Sequence, residues 1–372
     1  MRNLLQKRTT WAVLGVFAVL AVVVAWQRVP LLAWHRIRNL AVADEERRNA
    51  CVDRVVALDV AALPGLLARL RDSDVIVCTN MQAALVALAK TWGPNDPRGL
   101  ALAEGLRDGF EPFSLAGQGS ALQTMASLLR DGEPPATMVS AAVAMIESAE
   151  KHPELHCLSI NLASMMVETT PGCEALCRRL VEGGIVAESP HARVAAVQLA
   201  AHEPLRKDEK LLRNLVPLLK DKSAPVRRAT LLTLGREANL IDTDGLLFLL
   251  HDDDVEVQHL CEVTLQSRGL SERDVQMARL ISDEKPAARL RVLQHLGRNS
   301  EVGDVGVWLQ KLSEDPSAAV RAAAVRTAGL HPNASTNELL RRMSQQDPSE
   351  TVRLNAQHYL QLQATAAPTK SP

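Results

Sequence analysis

Aromatic residues are scarce in this chain of 372 residues: they make up 3%, with a single tyrosine and four phenylalanines. Strands draw on aromatic and β-branched residues, so this composition disfavours a β-sandwich, and the abundant Ala, Leu and Val fit packed helices. A positive excess is also missing. Lys plus Arg number 42 against 43 Asp plus Glu, which argues against a generic nucleic-acid binder. Wholesale disorder is excluded in turn, because 47% of residues are hydrophobic. The common signatures of catalysis are lacking as well. There is no phosphate-binding Gly-rich loop, dinucleotide fingerprint or His-Glu-x-x-His zinc helix, and no Gly-x-Ser-x-Gly elbow. No catalytic, cofactor-binding or metal-binding residue is therefore assigned, and no cofactor, small-molecule substrate or nucleic acid is expected.

What is present begins near the N-terminus. Arg2, Lys7 and Arg8 precede an uncharged run of 19 residues from Thr9 to Gln27. As a helix it would extend about 28 Å, one hydrocarbon core. Trp11 and Trp26 sit at its two ends, where indoles favour the interface. The alternative is a signal peptide cleaved after Ala25, with Val23 and Ala25 as the small residues of the site. The run exceeds the roughly 7–15 apolar residues of a typical signal peptide, so a transmembrane anchor is the preferred reading. Arg28, Arg36 and Arg38 beyond the run nearly balance the basic residues before it. The short basic tail is costly to translocate, so the N-terminus is expected inside and the bulk of the chain outside, the periplasm in a bacterium.

The remainder repeats itself. A Val or small residue followed by Arg stands at Val226-Arg227, Ala288-Arg289, Val320-Arg321 and Val352-Arg353, with each Arg six residues after Asp221, Asp283, Asp315 and Asp347. Asp252 leads to Val257-Gln258 in the same frame, and Ala192-Arg193 fits upstream with Ala187 in the Asp position. The residues before Arg or Gln (192, 226, 257, 288, 320 and 352) are spaced by 34, 31, 31, 32 and 32. Such a period signals stacked helical units. Positions four and eight after each anchor, such as Thr230 and Leu234 or Cys261 and Leu265, share its helical face and predict a buried stripe. Leu218, Leu249, Leu280 and Leu312, eight before the anchors, belong to a preceding helix. Each unit is thus a helix pair.

The Asp-to-Arg offset is informative. Six residues rotate a helix by about 240° net, so the two side chains do not share a face. Each Arg is better placed to meet the Asp of a neighbouring unit, in a ladder of charge-assisted hydrogen bonds that fixes register; a basic binding stripe is the other reading. Asp315-Pro316 and Asp347-Pro348 look like N-caps followed by a first-turn proline. Glu350 is placed to complete a capping box. Gly235, Gly297 and Gly329 read as helix stops.

The frame Leu-x-x-Asp-x-x-x-x-Val-Arg-x-x-Ala resembles the HEAT repeat, especially the short HEAT-like repeats also found in phycobilin lyases. The resemblance covers residues 181–363. Upstream, Asp72, Val77, Met81 and Leu85 resemble another unit, with Cys78 in place of Arg; Arg130-Asp131 and His152-Pro153 are weaker frames. The expected architecture is all-α: an α-solenoid of HEAT-like hairpins with an N-terminal transmembrane helix. Its parts are a basic tail (1–8), the anchor (9–27), a juxtamembrane segment (28–45), irregular helical hairpins (46–180), the repeats (181–363) and a disordered tail (364–372). Pro94, Pro97, Pro112, Pro134, Pro135 and Pro171 mark breaks in the irregular part. Stacked units leave an extended surface, so the expected role is a non-enzymatic, membrane-tethered scaffold that binds a protein partner on a solenoid face whose residues the sequence does not identify.

Several constellations invite chemistry. His152, His156 and Cys157 with Cys173 and Cys177 have zinc-like spacing. If residues 169–172 turn two antiparallel helices, however, His156 lies about 9 Å along the axis from Cys177, and buried thiols are the preferred reading. An enzyme using these residues as a metal centre is the alternative class. The six cysteines (51, 78, 157, 173, 177 and 261) suggest no disulfide framework. Deoxyhypusine hydroxylase, a similar helical-repeat enzyme, uses several His-Glu dyads, but only His202-Glu203 occurs here. HEAT-like DNA glycosylases use aromatic residues in a basic groove, and only Trp34, Trp92 and Trp308 follow the anchor. His251-Asp252-Asp253-Asp254 lacks the Gly and terminal Glu of an EF-hand and reads as a helix cap. Trp308 and Arg341-Arg342 are candidate partner contacts, as Trp and Arg often are.

Overall fold

The computed structural model describes residues 29–130, 133–167, 170, 172–298 and 305–366. The basic tail, the 9–27 run, Pro171 and the last six residues lie outside these. Helices and the turns between them account for all regular structure among the described residues. The chain divides into two compact units, one ending at Thr233 and one beginning at Leu234.

In the first unit, helices alternate between two layers. Glu45–Val56, Val75–Trp92, Leu115–Leu129, His156–Ser164 and Pro190–Ala200 pack in sequence against one another, while Leu63–Arg69, Pro97–Gly109 and Ala136–Ala149 form a second row. Local chemistry sets the starts. Asp44, Asp74, Asp96 and Ser114 each accept from a backbone N–H in the first turn of the helix that follows, which satisfies one of its orphan donors. Pro97 opens its helix, where its missing N–H removes no bond. The stretch read as irregular thus forms successive hairpins.

Val75–Trp92 is long and apolar enough to cross a membrane by composition. Here it is a core helix: Val77, Cys78, Met81, Ala84, Leu85, Leu88 and Ala89 are buried inside the unit. Its one buried amide is fully used. Asn80 donates to Leu40 O at 2.9 Å and Ala43 O at 3.0 Å, and its Oδ1 accepts from Arg48 Nε at 2.7 Å. These bonds tie the end of the helix over residues 29–41 to the body. Replacing Asn80 by Leu leaves two carbonyls and a guanidinium without that partner. Thermal unfolding of N80L is expected to show a loss of about 2–3 kcal/mol, and a shift below 0.5 kcal/mol would remove Asn80 from this role.

The second unit is built on the repeat frame. Val255–Ser267, Pro286–Arg298, Ala318–Leu330 and Glu350–Ala366 are the second helices of successive pairs. The anchors Val257, Val320 and Val352 are fully buried, as is Val226 in the first unit. Cys261, Leu265, Val292, Leu296, Ala324, Ala328 and Ala356 occupy the predicted columns at 0% exposure. Leu218 and Leu280 are only half-buried; Leu219 and Ile281, one residue on, fill the interior instead. Two first helices are tighter than expected, since Val216–Lys220 and Asp244–His251 are 3-10.

Four local expectations are corrected. Asp315 and Asp347 do not cap their helices directly; each accepts from the N–H two residues on, Ser317 at 2.7 Å and Ser349 at 2.8 Å, in the turn just before the helix. Glu350 is the first residue of its helix, so no capping box forms there; the boxes occur at Ser271 with Asp274 and at Asn333 with Thr336. Gly297 and Gly329 lie within helices rather than ending them. At Gly329 a Cβ would stand within 2.9 Å of three Tyr359 carbons, so close packing explains that glycine. The final helix also runs to Ala366, so residues 364–366 are helical.

Candidate functional site

The recurring spacing of Asp and Arg builds a clamp at three of the turns. Arg193 donates Nε and Nη2 to Asp221 at 2.8 and 2.9 Å, Arg289 to Asp315 at 2.6 and 3.0 Å, and Arg321 to Asp347 at 2.8 and 3.1 Å. Each pair joins one hairpin to the next, as the 240° offset requires. The remaining nitrogen turns inward. Nη1 of Arg193, Arg227, Arg289, Arg321 and Arg353 donates to the carbonyl six residues earlier, at 2.6–2.9 Å. Gln258 keeps only this second duty, donating to Asp252 O at 2.6 Å. Ala187 likewise supplies a carbonyl to Arg193 without supplying a carboxylate.

Burial decides what the clamp is for. Arg289 and Arg321 are under 10% exposed, and so are Asp315 and Asp347. Desolvation pushes the Asp221 and Asp347 carboxyls up, but bonds from Arg193 or Arg321 and from a backbone N–H outweigh it, and both sit below the usual carboxylate range. Groups so enclosed are unavailable as a basic binding stripe. They fix register.

An uncharged version exists near residue 72. Cys78 Sγ lies 3.2 Å from Asp72 O, the carbonyl that Arg Nη1 takes elsewhere, and 3.7 Å from Ser114 Oγ. Ser114 donates to Asp72 O at 2.6 Å and accepts from Gly117 N at 3.0 Å. A thiol and a hydroxyl here replace the guanidinium and carboxylate. The partner in this rung was not legible from the Asp72 frame alone, because Ser114 breaks the Asp spacing.

The accessible side of each unit lies opposite the buried stripe. Positions two and six after each anchor point about 180° from the columns. In the first unit they are Val194, Gln198, Arg228 and Leu232. In the second they are His259, Val263, Leu290, Gln294, Ala322, Arg326, Leu354 and His358, of which Leu290 and Ala322 pack half-buried against the second core. None is acidic. Leu232 is 67% exposed, Leu354 56% and Val263 47%. In the first unit this side is grooved, with about 350 Å³ bounded by Asn161, Gln198, His202 and Leu232 among others.

The residues singled out for chemistry fall elsewhere. Among the described residues, no three His, Cys, Asp or Glu side chains are grouped to hold a metal ion. His152 precedes a short 3-10 turn and His156 opens the next helix, while Cys173 and Cys177 are buried at the start of Glu174–Ile185. Burial pushes the Cys177 and Cys261 thiols up to about 12, far from the thiolate that metal binding or nucleophilic attack requires. All six cysteines are free thiols. His202 and Glu203 lie in the turn after Pro190–Ala200, and Glu203 pairs with Lys207 at 3.1 Å. Asp254 caps Val255–Ser267 by accepting from Val257 N at 3.0 Å, and Asp252 accepts from Asp254 N at 2.9 Å. Trp92 is buried and donates to Asp59 at 2.8 Å. Trp308 packs half-buried against the second core. Arg342 donates to Ser313 Oγ at 2.8 Å, which leaves Arg341 as the exposed member of its pair.

The clamp, the columns and the hairpin alternation recur most regularly toward the C-terminus. Residues 305–369 match the family model for HEAT repeats. The matched HEAT stretch contains the Arg321–Asp347 rung and the exposed positions Arg326, Leu354 and His358. No curated protein matches the chain.

Proposed function

We propose that this protein is a membrane-tethered, non-enzymatic scaffold that binds a protein partner along the accessible side of its HEAT-like hairpins. The observation that carries the reading is the composition of that side. The positions two and six after each anchor carry no acid, and they leave apolar side chains outside in each unit: Leu232 in the first, Val263 and Leu354 in the second, each 47–67% exposed. Exposed apolar side chains flanked by Gln, His and Arg suit a protein surface better than solvent. The uncharged run from Thr9 to Gln27 supports a tether, with the N-terminus inside and the hairpins outside the cytoplasm. Tethering confines encounters to the membrane plane and raises the effective concentration toward membrane-bound partners.

The test is affinity capture from detergent-solubilised membranes with the full chain and with V263E/L354E, two exposed positions whose replacement leaves the core intact. A protein retained by the unaltered chain and reduced at least tenfold with the variant is expected. Equal retention by both would remove this face from the reading. Protease accessibility on intact cells checks sidedness separately.

A further inference from the structure

The helix over residues 29–41 is apolar on two sides, about 110° apart around its axis. One side is Ala33, Ile37, Leu40 and Ala41, all buried against the first unit. Arg36 Nη1 donates to Arg54 O at 2.6 Å, and Asn80 holds the carbonyls of Leu40 and Ala43. This helix is therefore fixed to the body and does not hang from it.

No described residue buries the other side. Leu31, Trp34 and Arg38 lie within about 60° of one another at 100° per residue. Leu31 is 59% and Trp34 57% exposed, with Val29 and Val42 exposed at the two ends. The Arg38 guanidinium stands 5.4 Å over the Trp34 ring. No Asp or Glu occurs between Thr9 and Ala43, while Arg28, Arg36 and Arg38 do. The uncharged run ends at Gln27, two residues before Val29.

These features select one occupant. A helix that presents Leu, Trp and Arg outward, carries only positive charge and directly continues an apolar run of membrane-spanning length matches the bilayer interface. We infer that the Leu31–Trp34–Arg38 face lies in the headgroup layer of a membrane containing anionic lipid. The inference rests on the proposed tether and goes beyond it: because the helix is locked to the first unit, its seating on lipid would fix how that unit stands on the membrane.

The test uses the full chain reconstituted in phosphatidylcholine–phosphatidylglycerol vesicles carrying lipid brominated near the headgroup, which quenches tryptophans at that depth. In a W11F/W26F background, Trp34 is one of three remaining tryptophans, and a loss of up to about one third of the emission is expected. Adding W34F should abolish that loss. Comparing the unaltered chain with W34F alone gives the same difference without touching Trp11 or Trp26. Each sample is also washed in alkaline carbonate. Retention in the membrane without Trp34 quenching would overturn the lipid-facing assignment and leave the tether standing. Release of the unaltered chain by carbonate would overturn both.

Discussion

Replacing Arg321 by Met is expected to destabilise the second unit by about 3–5 kcal/mol, because it leaves the Asp347 carboxylate buried without its bidentate partner. The Asp347 side chain is 2% exposed and the Arg321 side chain 11%, so water cannot replace the lost bonds. The same change also strips a donor from the carbonyls of Asp315 and Pro316. R321M/D347L should recover a substantial part of the loss, since removing both charges removes the desolvation penalty with them. Urea unfolding followed by circular dichroism measures all three proteins. Equal stability of the wild type and R321M would show that the rung contributes nothing.

Acid provides an independent reading of the same pair. Asp347 titrates below its ordinary value in the folded chain. A carboxyl with a depressed folded pKa adds stability above its unfolded pKa, about 3.9, and that stability is lost as pH falls through the folded value. The unfolding midpoint of the wild type should therefore hold down to about pH 4 and drop below it. R321M/D347L should show a shallower drop over the same range.

Gly117→Ala is expected to be the most damaging small substitution in the first unit. A Cβ there would lie 1.9 Å from Leu70 O and 2.8 Å from Leu70 C. Leu70 O also accepts from Ser114 N at 3.1 Å, so the contact is backbone against backbone and no flexible side chain can yield. Separating them shifts the Ser114 bonds to Leu70 and Asp72 as well. A loss of about 3 kcal/mol or more is anticipated. Gly183→Ala is the control: it lies in the helix Glu174–Ile185 with nothing within 4 Å of an added Cβ, and should stabilise by about 0.5–1 kcal/mol. Thermal unfolding of both variants decides the matter; a G117A midpoint at or above wild type would refute the close approach.

Which features were legible follows from how local they are. The columns at Val257, Cys261 and Leu265 could be read because one helical turn fixes the angle between them. The Arg-to-Asp clamp could be read from a single offset, because 240° forbids the pair within one unit. The Cys78–Ser114 rung could not be completed, since its members stand 36 residues apart: the helix that carries Cys78 and the turn before Ser114 are both longer there. Nor did the sequence separate the glycines that stop helices from those that admit a neighbour. Gly93 and Gly269 have the positive φ of a stop, whereas Gly329 makes room for Tyr359 from the next hairpin. The exposed face at Leu232, Val263 and Leu354 follows from the period once the stripe is assigned, but the residues that fill it show no motif.

The linear chain by itself determined the helical pairs, their period and the residues that face inward, because each depends on backbone geometry repeated over a few residues. Only the tertiary structure decided that Asn80 holds the helix over residues 29–41, that Gly117 meets Leu70, and that Trp34 is left outside. Those outcomes depend on how one hairpin settles on another, and no rule of spacing along a single helix contains that information.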